Sequence, residues 1–183
     1  MATTIQRKGY GQVEPNHLSA QYTGQIYAQL PAMGGSNHAT PIAQLENGQF
    51  LKYNYQANCA SLDGDGEYML VFNEVKLYDE KHQGYKDFVM KATDQADGKI
   101  YPRLLKTNIG DIFTTNTFAA AGTGYNATVG SSISLTVGNK LEVDSNTGFL
   151  KAAGQTPTAP VFQVVKEYTL ADQQTAVKLQ RIQ

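Results

Sequence analysis

Apolar and polar positions alternate along much of this chain with the period of a β-strand rather than a helix. In "GQFLKYNYQA" the alternation runs around Phe50, Lys52 and Tyr53. "EYMLVFNEVKLYDE" and "GYKDFVMKA" follow, then "GDIFTTNTF", "SISLTV", "KLEV", "GFLKAA", "VFQVVKEYTL" and "TAVKLQRI". β-branched and aromatic residues, which fit a pleated surface, are common in these runs. Turn chemistry separates them: Glu46-Asn47-Gly48, Asp63-Gly64-Asp65-Gly66, His82-Gln83-Gly84 and Asp97-Gly98. In "KLEVDSNTGFLKA" the turn Asp144 to Gly148 lies between two alternating runs and predicts a hairpin. "LADQQTAVKLQ" fits a strand better than a short helix, because Val161 to Leu170 just before it is strongly β. Helical periodicity is otherwise scarce. The expected fold is mainly β, a barrel- or sandwich-like set of antiparallel strands with an extended N-terminal arm.

Three parts follow from this reading: an arm over residues 1–40, a β-rich lobe over 41–100, and a second over 101–183 that has the makings of a small barrel. The arm holds one strand candidate, Gln21 to Leu30, followed by Pro31 and the Gly34-Gly35 break. Its apolar residues are too few to build a core, so the arm is expected to dock on another surface. Tyr22, Ile26, Tyr27 and Leu30 are the expected anchors, and Gln25 and Gln29 the hydrogen-bonding residues of the same contact. Strand addition to a partner's sheet would use main-chain bonds for affinity and alternate side chains for register.

Composition narrows the function. Charged residues make up 17% of the 183 residues, below the usual quarter, and the net charge is −1. That balance carries no electrostatic footprint for nucleic acid or an anionic membrane. No apolar run approaches a membrane span, and "MATTIQRKGYGQ" lacks the apolar centre of a secretory signal. Cys59 is the only cysteine, so no internal disulfide forms and folding in a reducing compartment is expected. The polar residues are mostly uncharged: 16 Gln, 11 Asn and 17 Thr. Residues 15–45 and 112–139 contain no Asp, Glu, Lys or Arg. Such stretches read either as loops or as surface that avoids the cost of burying ions at an interface.

Chemistry-bearing constellations are thin. "SLDGDGEYMLVFNE" places Asp63, Asp65, Glu67 and Glu74 at the first, third, fifth and twelfth positions of a calcium loop. The sixth position, which needs Gly for the sharp turn, is Tyr68, and Met69 to Phe72 read as a buried strand. The stretch is therefore read as a turn launching a strand. His17, His38 and His82 lack metal-like spacing and are expected as exposed loop residues. Cys59 is expected as a small, partly buried residue at a strand end rather than a nucleophile. "AAGTGYNATVG" lacks the Lys of a phosphate loop. Asp79-Glu80 and the pair Asp94 and Asp97 sit at turn signals. No catalytic residue, metal or cofactor is assigned, and no enzyme is expected. Eleven Tyr and seven Phe with no Trp leave a carbohydrate-binding or adhesion module as the alternative reading, by stacking on sugars.

The segment "VGNKLEVDSNTGFLKAAGQTPTAPVFQVVKEYTLADQQTAVKLQRIQ" resembles the C-terminal end of capsid decoration, or cement, proteins of tailed bacteriophages. The shared features are a hairpin with a Thr-Gly turn, a strand in the Val-Val-Lys style and a final strand. "PRLLKTNIGDIFTTNTF" and "KGYGQVEPNHLSAQYTGQIYAQLP" resemble the same class. The resemblance implies a structural virion protein that binds the outer surface of an assembled head and stabilises it. Its partners would be the major capsid protein and neighbouring copies of itself, on the capsid surface after assembly in the host cytoplasm. It brings no catalytic residues.

Overall fold

The computed structural model describes residues 2–6, 9–19, 26–73, 89–96, 101–119, 132–158 and 160–183. The short apolar runs become short strands. In the first part of the chain these are β1 (Thr3–Gln6), β2 (Val13–His17), β3 (Ile26–Gln29), β4 (Met33–Gly34) and β5 (Thr40–Pro41). β6 (Gln44–Glu46), β7 (Phe50–Asn54), β8 (Cys59–Ser61), β9 (Met69–Val71) and β10 (Val89–Lys91) follow. The remainder are β11 (Arg103–Leu105), β12 (Ile112–Thr115), β13 (Ser132–Leu135), β14 (Lys140–Val143), β15 (Leu150–Ala152), β16 (Val161–Thr169) and β17 (Thr175–Arg181). A short helix, α1 (Ala92–Ala96), stands among them.

Two sheets carry the architecture. One has five strands in the order β3-β11-β9-β7-β8, and the other six in the order β15-β14-β16-β17-β12-β2. The ladders are antiparallel, with single parallel bridges joining Ala32 to Ala60 and Phe118 to Leu150. The fold is thus mainly β and antiparallel. The hairpin expected around Asp144 forms, with Val143 opposite Leu150 and Leu141 opposite Ala152. β16 and β17 pair from Phe162 with Arg181 to Thr169 with Thr175, so the last segment is strand and not helix.

β9, inside the five-stranded sheet, is buried on both faces, which is why Met69 to Val71 read as a continuous apolar run rather than as alternation with polar residues. Because side chains alternate across a strand, neighbours go to opposite sides. Phe50, Leu70 and Leu105 join one cluster with Phe113, Leu141, Phe162, Val177 and Leu179 of the six-stranded sheet. Leu51, Met69, Val71 and Leu104 face a second, smaller cluster with Leu45, Met90, Ala32 and Ala60. Phe50, Phe113 and Phe162 meet at the centre with ring centroids 5.4 to 6.4 Å apart. Each fully buried ring contributes roughly 1.5–3 kcal/mol.

Among the described residues of 1–40, the strands β1, β2 and β3 pair with this chain's own strands. β1 pairs β13, β2 pairs β12, and β3 pairs β11. Sequence separation in these pairs is what hid them. α1 was not expected either: Asp94, read as part of a turn, accepts a 2.8 Å hydrogen bond from the Lys91 backbone N–H just ahead of the helix, which ties down its start. Gln95 then accepts a 2.7 Å bond from the Ala32 N–H, fixing the helix to the second cluster.

Candidate functional site

β3 ends the five-stranded sheet, with β11 on one side and no strand on the other among the described residues. It carries Ile26, Tyr27 and Gln29, and Leu30 follows it, half-buried. Tyr22 and Gln25 lie outside the described residues. Ala28 stands opposite Leu104 and Ile26 opposite Leu105, so Tyr27 is the extra residue of a β-bulge. Bulges at sheet edges break the regular ladder and turn the strand locally. An added strand at this edge would find only a short continuous ladder, so side chains would have to supply much of the anchoring.

The uncharged polar run after residue 112, read as loop or interface surface, is instead partly interior. Thr114, Thr115, Asn116 and Thr117 are fully buried, as are Glu46 and Asn47. Gly11 makes the arrangement possible: a Cβ there would lie 2.3 Å from the Asn47 carbonyl oxygen and 2.5 Å from Thr117 Oγ1. The Gly11 N–H donates to Glu46 Oε2 at 2.6 Å, and Gln44 Nε2 donates to Glu46 Oε1 at 2.9 Å. The Gln12 N–H donates to Asn116 Oδ1 at 3.0 Å, and Thr115 Oγ1 donates back to the Gln12 carbonyl at 2.7 Å. Asn47 exchanges two bonds with the backbone of Asn73, at 2.8 and 3.0 Å. Buried polar groups cost free energy unless paired, and pairing them with backbone from distant segments fixes one arrangement of the chain. This seam locks residues 11–12 to the two sheets. Its role is positioning, since its groups are turned on one another.

The calcium-like stretch is held to the molecule by its backbone. The Asp65 and Gly66 N–H groups both donate to the Tyr53 carbonyl, at 3.0 and 3.3 Å. Gly64 is packed so closely that a Cβ would meet the same carbonyl at 2.4 Å. The carboxylates diverge: Asp63 Oδ1 lies 2.9 Å from His38 Nε2, whereas Glu67 faces Lys106 and Arg181. Glu74 lies outside the described residues. Among the described residues no three His, Cys, Asp or Glu side chains are grouped to hold a metal.

His38 departs from the expectation of an exposed loop residue. Its side chain is 16% exposed, it has φ of 50°, and Asn54 Nδ2 also approaches Nε2 at 3.3 Å. The hydrogen bond from His38 is the main cause that holds the Asp63 carboxyl below its ordinary range, with Ser61 next. His17 lies on β2 and is exposed, and His82 falls outside the described residues. Cys59 opens β8 and is buried. Burial first, and the Asp63 carboxylate second, push its thiol up, away from the thiolate a nucleophile needs. No known protein family, curated protein or solved structure matches this chain.

Proposed function

We propose that this protein is an accessory structural protein of a phage virion, bound to the outer surface of the capsid and stabilising the shell. Two features support the reading. One is the likeness of residues 137–183, 102–118 and 8–31 to capsid decoration proteins. The other, which carries the docking mode, is the position of β3 at the end of the five-stranded sheet. Tyr22, Gln25, Ile26, Tyr27, Gln29 and Leu30 would form the contact. A protein that binds only the intact shell stabilises it by mass action, and many weak contacts add across the many copies. Near-zero net charge suits a protein that must cover a shell without attracting nucleic acid.

Co-sedimentation with phage heads stripped of accessory protein tests the reading. The wild-type protein is expected to pellet with the heads and raise their disruption temperature. Tyr27→Ala is expected to lower occupancy about tenfold or more, the loss of a central aromatic anchor. Its melting temperature in the free protein should stay within about 2 °C of wild type, since a change of 1 kcal/mol in a protein this size moves it by about that much. Failure of the wild-type protein to bind any head, or unfolding of free Tyr27→Ala, sinks the proposed contact.

A further inference from the structure

A cleft of about 260 Å³ opens beside the Asp63 to Glu67 turn, lined by Tyr53, Tyr55, Gly66, Glu67, Met69 and Lys106. Tyr53 and Tyr55 hold their rings 4.3 Å apart at 40°, and Tyr55 is 59% exposed, well above what a core aromatic shows. Met69 is buried beneath. Glu67, which also lines the cleft, is held by two cations. Its Oε1 lies 3.3 Å from Lys106 Nζ, and its Oε2 lies 3.7 Å from Arg181 Nη2. Arg181 is itself fixed, donating from Nε to the Gln183 carbonyl at 2.9 Å and from Nη1 to Thr107 Oγ1 at 3.1 Å. Glu67 is therefore a positioned acceptor, and Lys106, 45% exposed, a donor beside it.

We propose that this cleft binds a neutral pyranose residue of a glycan. The apolar C–H face of a sugar ring fits an exposed tyrosine face, and its hydroxyls need an acceptor and a donor a few ångströms apart. The residues lining the cleft supply both sets. It has room for one ring, since drug-sized sites start at about 300 Å³. A phosphorylated or nucleic-acid ligand is disfavoured because its phosphate would have to compete with the Glu67 carboxylate for Lys106 and Arg181, which already hold it. This binding does not depend on the capsid reading, and its failure would leave that reading untouched.

Saturation-transfer NMR with maltotriose, cellotriose and chitotriose, each at millimolar concentration, tests it on the full chain, with single-stranded dT6 as the control ligand. At least one trisaccharide is expected to receive saturation, with a Kd of roughly 0.1–1 mM, as one stacked ring and a few hydrogen bonds allow. Tyr55→Ala should weaken it tenfold or more with the melting curve unchanged, and Tyr55→Phe, which keeps the stacking face, should stay within about threefold. Lys106→Ala separates the polar wall and should weaken binding several-fold. Transfer to no trisaccharide, transfer to dT6 in preference, or binding unaffected by Tyr55→Ala each overturns the proposal.

Discussion

The Phe50 N–H donates a 2.7 Å hydrogen bond to the Gly148 carbonyl, and the two residues approach so closely that a Cβ on Gly148 would lie 2.5 Å from the Phe50 oxygen. Gly148 closes the β14–β15 turn with φ of +75°. β7, an inner strand of the five-stranded sheet, is thereby sewn to the hairpin of the six-stranded one. Gly148→Ala meets two penalties, a left-handed backbone and a clash with main chain that cannot swing aside. It is expected to cost about 2–4 kcal/mol. Gly138, at φ +94° with open space around it, is the control, and Gly138→Ala should cost only about 1 kcal/mol. Urea unfolding of both variants measures the difference. Equal costs would mean that the contact with Phe50 carries no strain.

The buried seam makes a second prediction. Asn47 donates to the Asn73 carbonyl and accepts from the Asn73 N–H. Asn47→Ala strands both main-chain groups in the interior and should cost about 2–4 kcal/mol. Asn47→Asp keeps the acceptor but sets a buried carboxylate oxygen against the Asn73 carbonyl, so it should cost at least as much as the alanine. An alanine variant within about 0.5 kcal/mol of wild type would show that water replaces the side chain.

How far the sequence reveals this molecule depends on the range of the interactions. Strand character was legible because it is local: Phe50 and Leu51, or Leu104 and Leu105, carry their β preference wherever they sit. The β14–β15 hairpin was legible because Asp144 to Gly148 encodes its turn. Pairing of β2 with β12, across about a hundred residues, leaves no local mark, so residues 1–40 read as an arm without a home. The polar seam was hidden for a related reason. Thr114 to Thr117 look like solvated residues until Gly11, Gln12 and Asn47 arrive to satisfy them. Asp94 read as a turn residue because its cap bond to Lys91 is a matter of local backbone geometry rather than of residue type. The cleft was legible only as a count of tyrosines; which two stand side by side is set by the turn after β7.

Asp172 gives a prediction in pH. Burial alone would raise its carboxyl, but hydrogen bonds from Gln12 and Gln174 outweigh it and leave the carboxyl below its ordinary value of 3.8. Gln12 Nε2 donates at 2.7 Å and Gln174 Nε2 at 2.5 Å, both to Oδ2. On acidification the unfolded chain takes up this proton first. The contribution is therefore fully present above about pH 4 and lost as pH falls through the lower folded value. Asp172→Asn should be less stable than wild type at pH 6, and the gap should narrow by pH 2–3. Urea midpoints across that range measure it; a gap that stays constant would assign the effect to packing and not to charge.

The last prediction decides whether residues 41–100 and 101–183 unfold as separate lobes. The five-stranded sheet draws β3, β7, β8, β9 and β11 from both sides of residue 100, and Phe50 of β7 packs on Phe113 of β12 and Phe162 of β16. A core shared in this way cannot lose one side without exposing the other. The Phe113 and Phe162 rings stand edge to face, with centroids 5.4 Å apart at 83°. Phe162→Ala should cost about 3–5 kcal/mol. Because Phe50 touches both partners, its own truncation should not add to that of Phe162: the double variant should depart from additivity by about 0.5–1.5 kcal/mol. Far-ultraviolet dichroism and tyrosine fluorescence should follow one urea transition in the wild type and in each variant. Tyr53 stands on β7 of the five-stranded sheet and Tyr168 on β16, so the summed emission of the eleven tyrosines follows both sheets at once. If the two signals gave different midpoints, or either split into two transitions, the sheets would be independent units and the shared cluster a contact between finished folds. A single shifted midpoint in both signals makes the Phe50, Phe113 and Phe162 cluster the place where the two halves of the chain fold together.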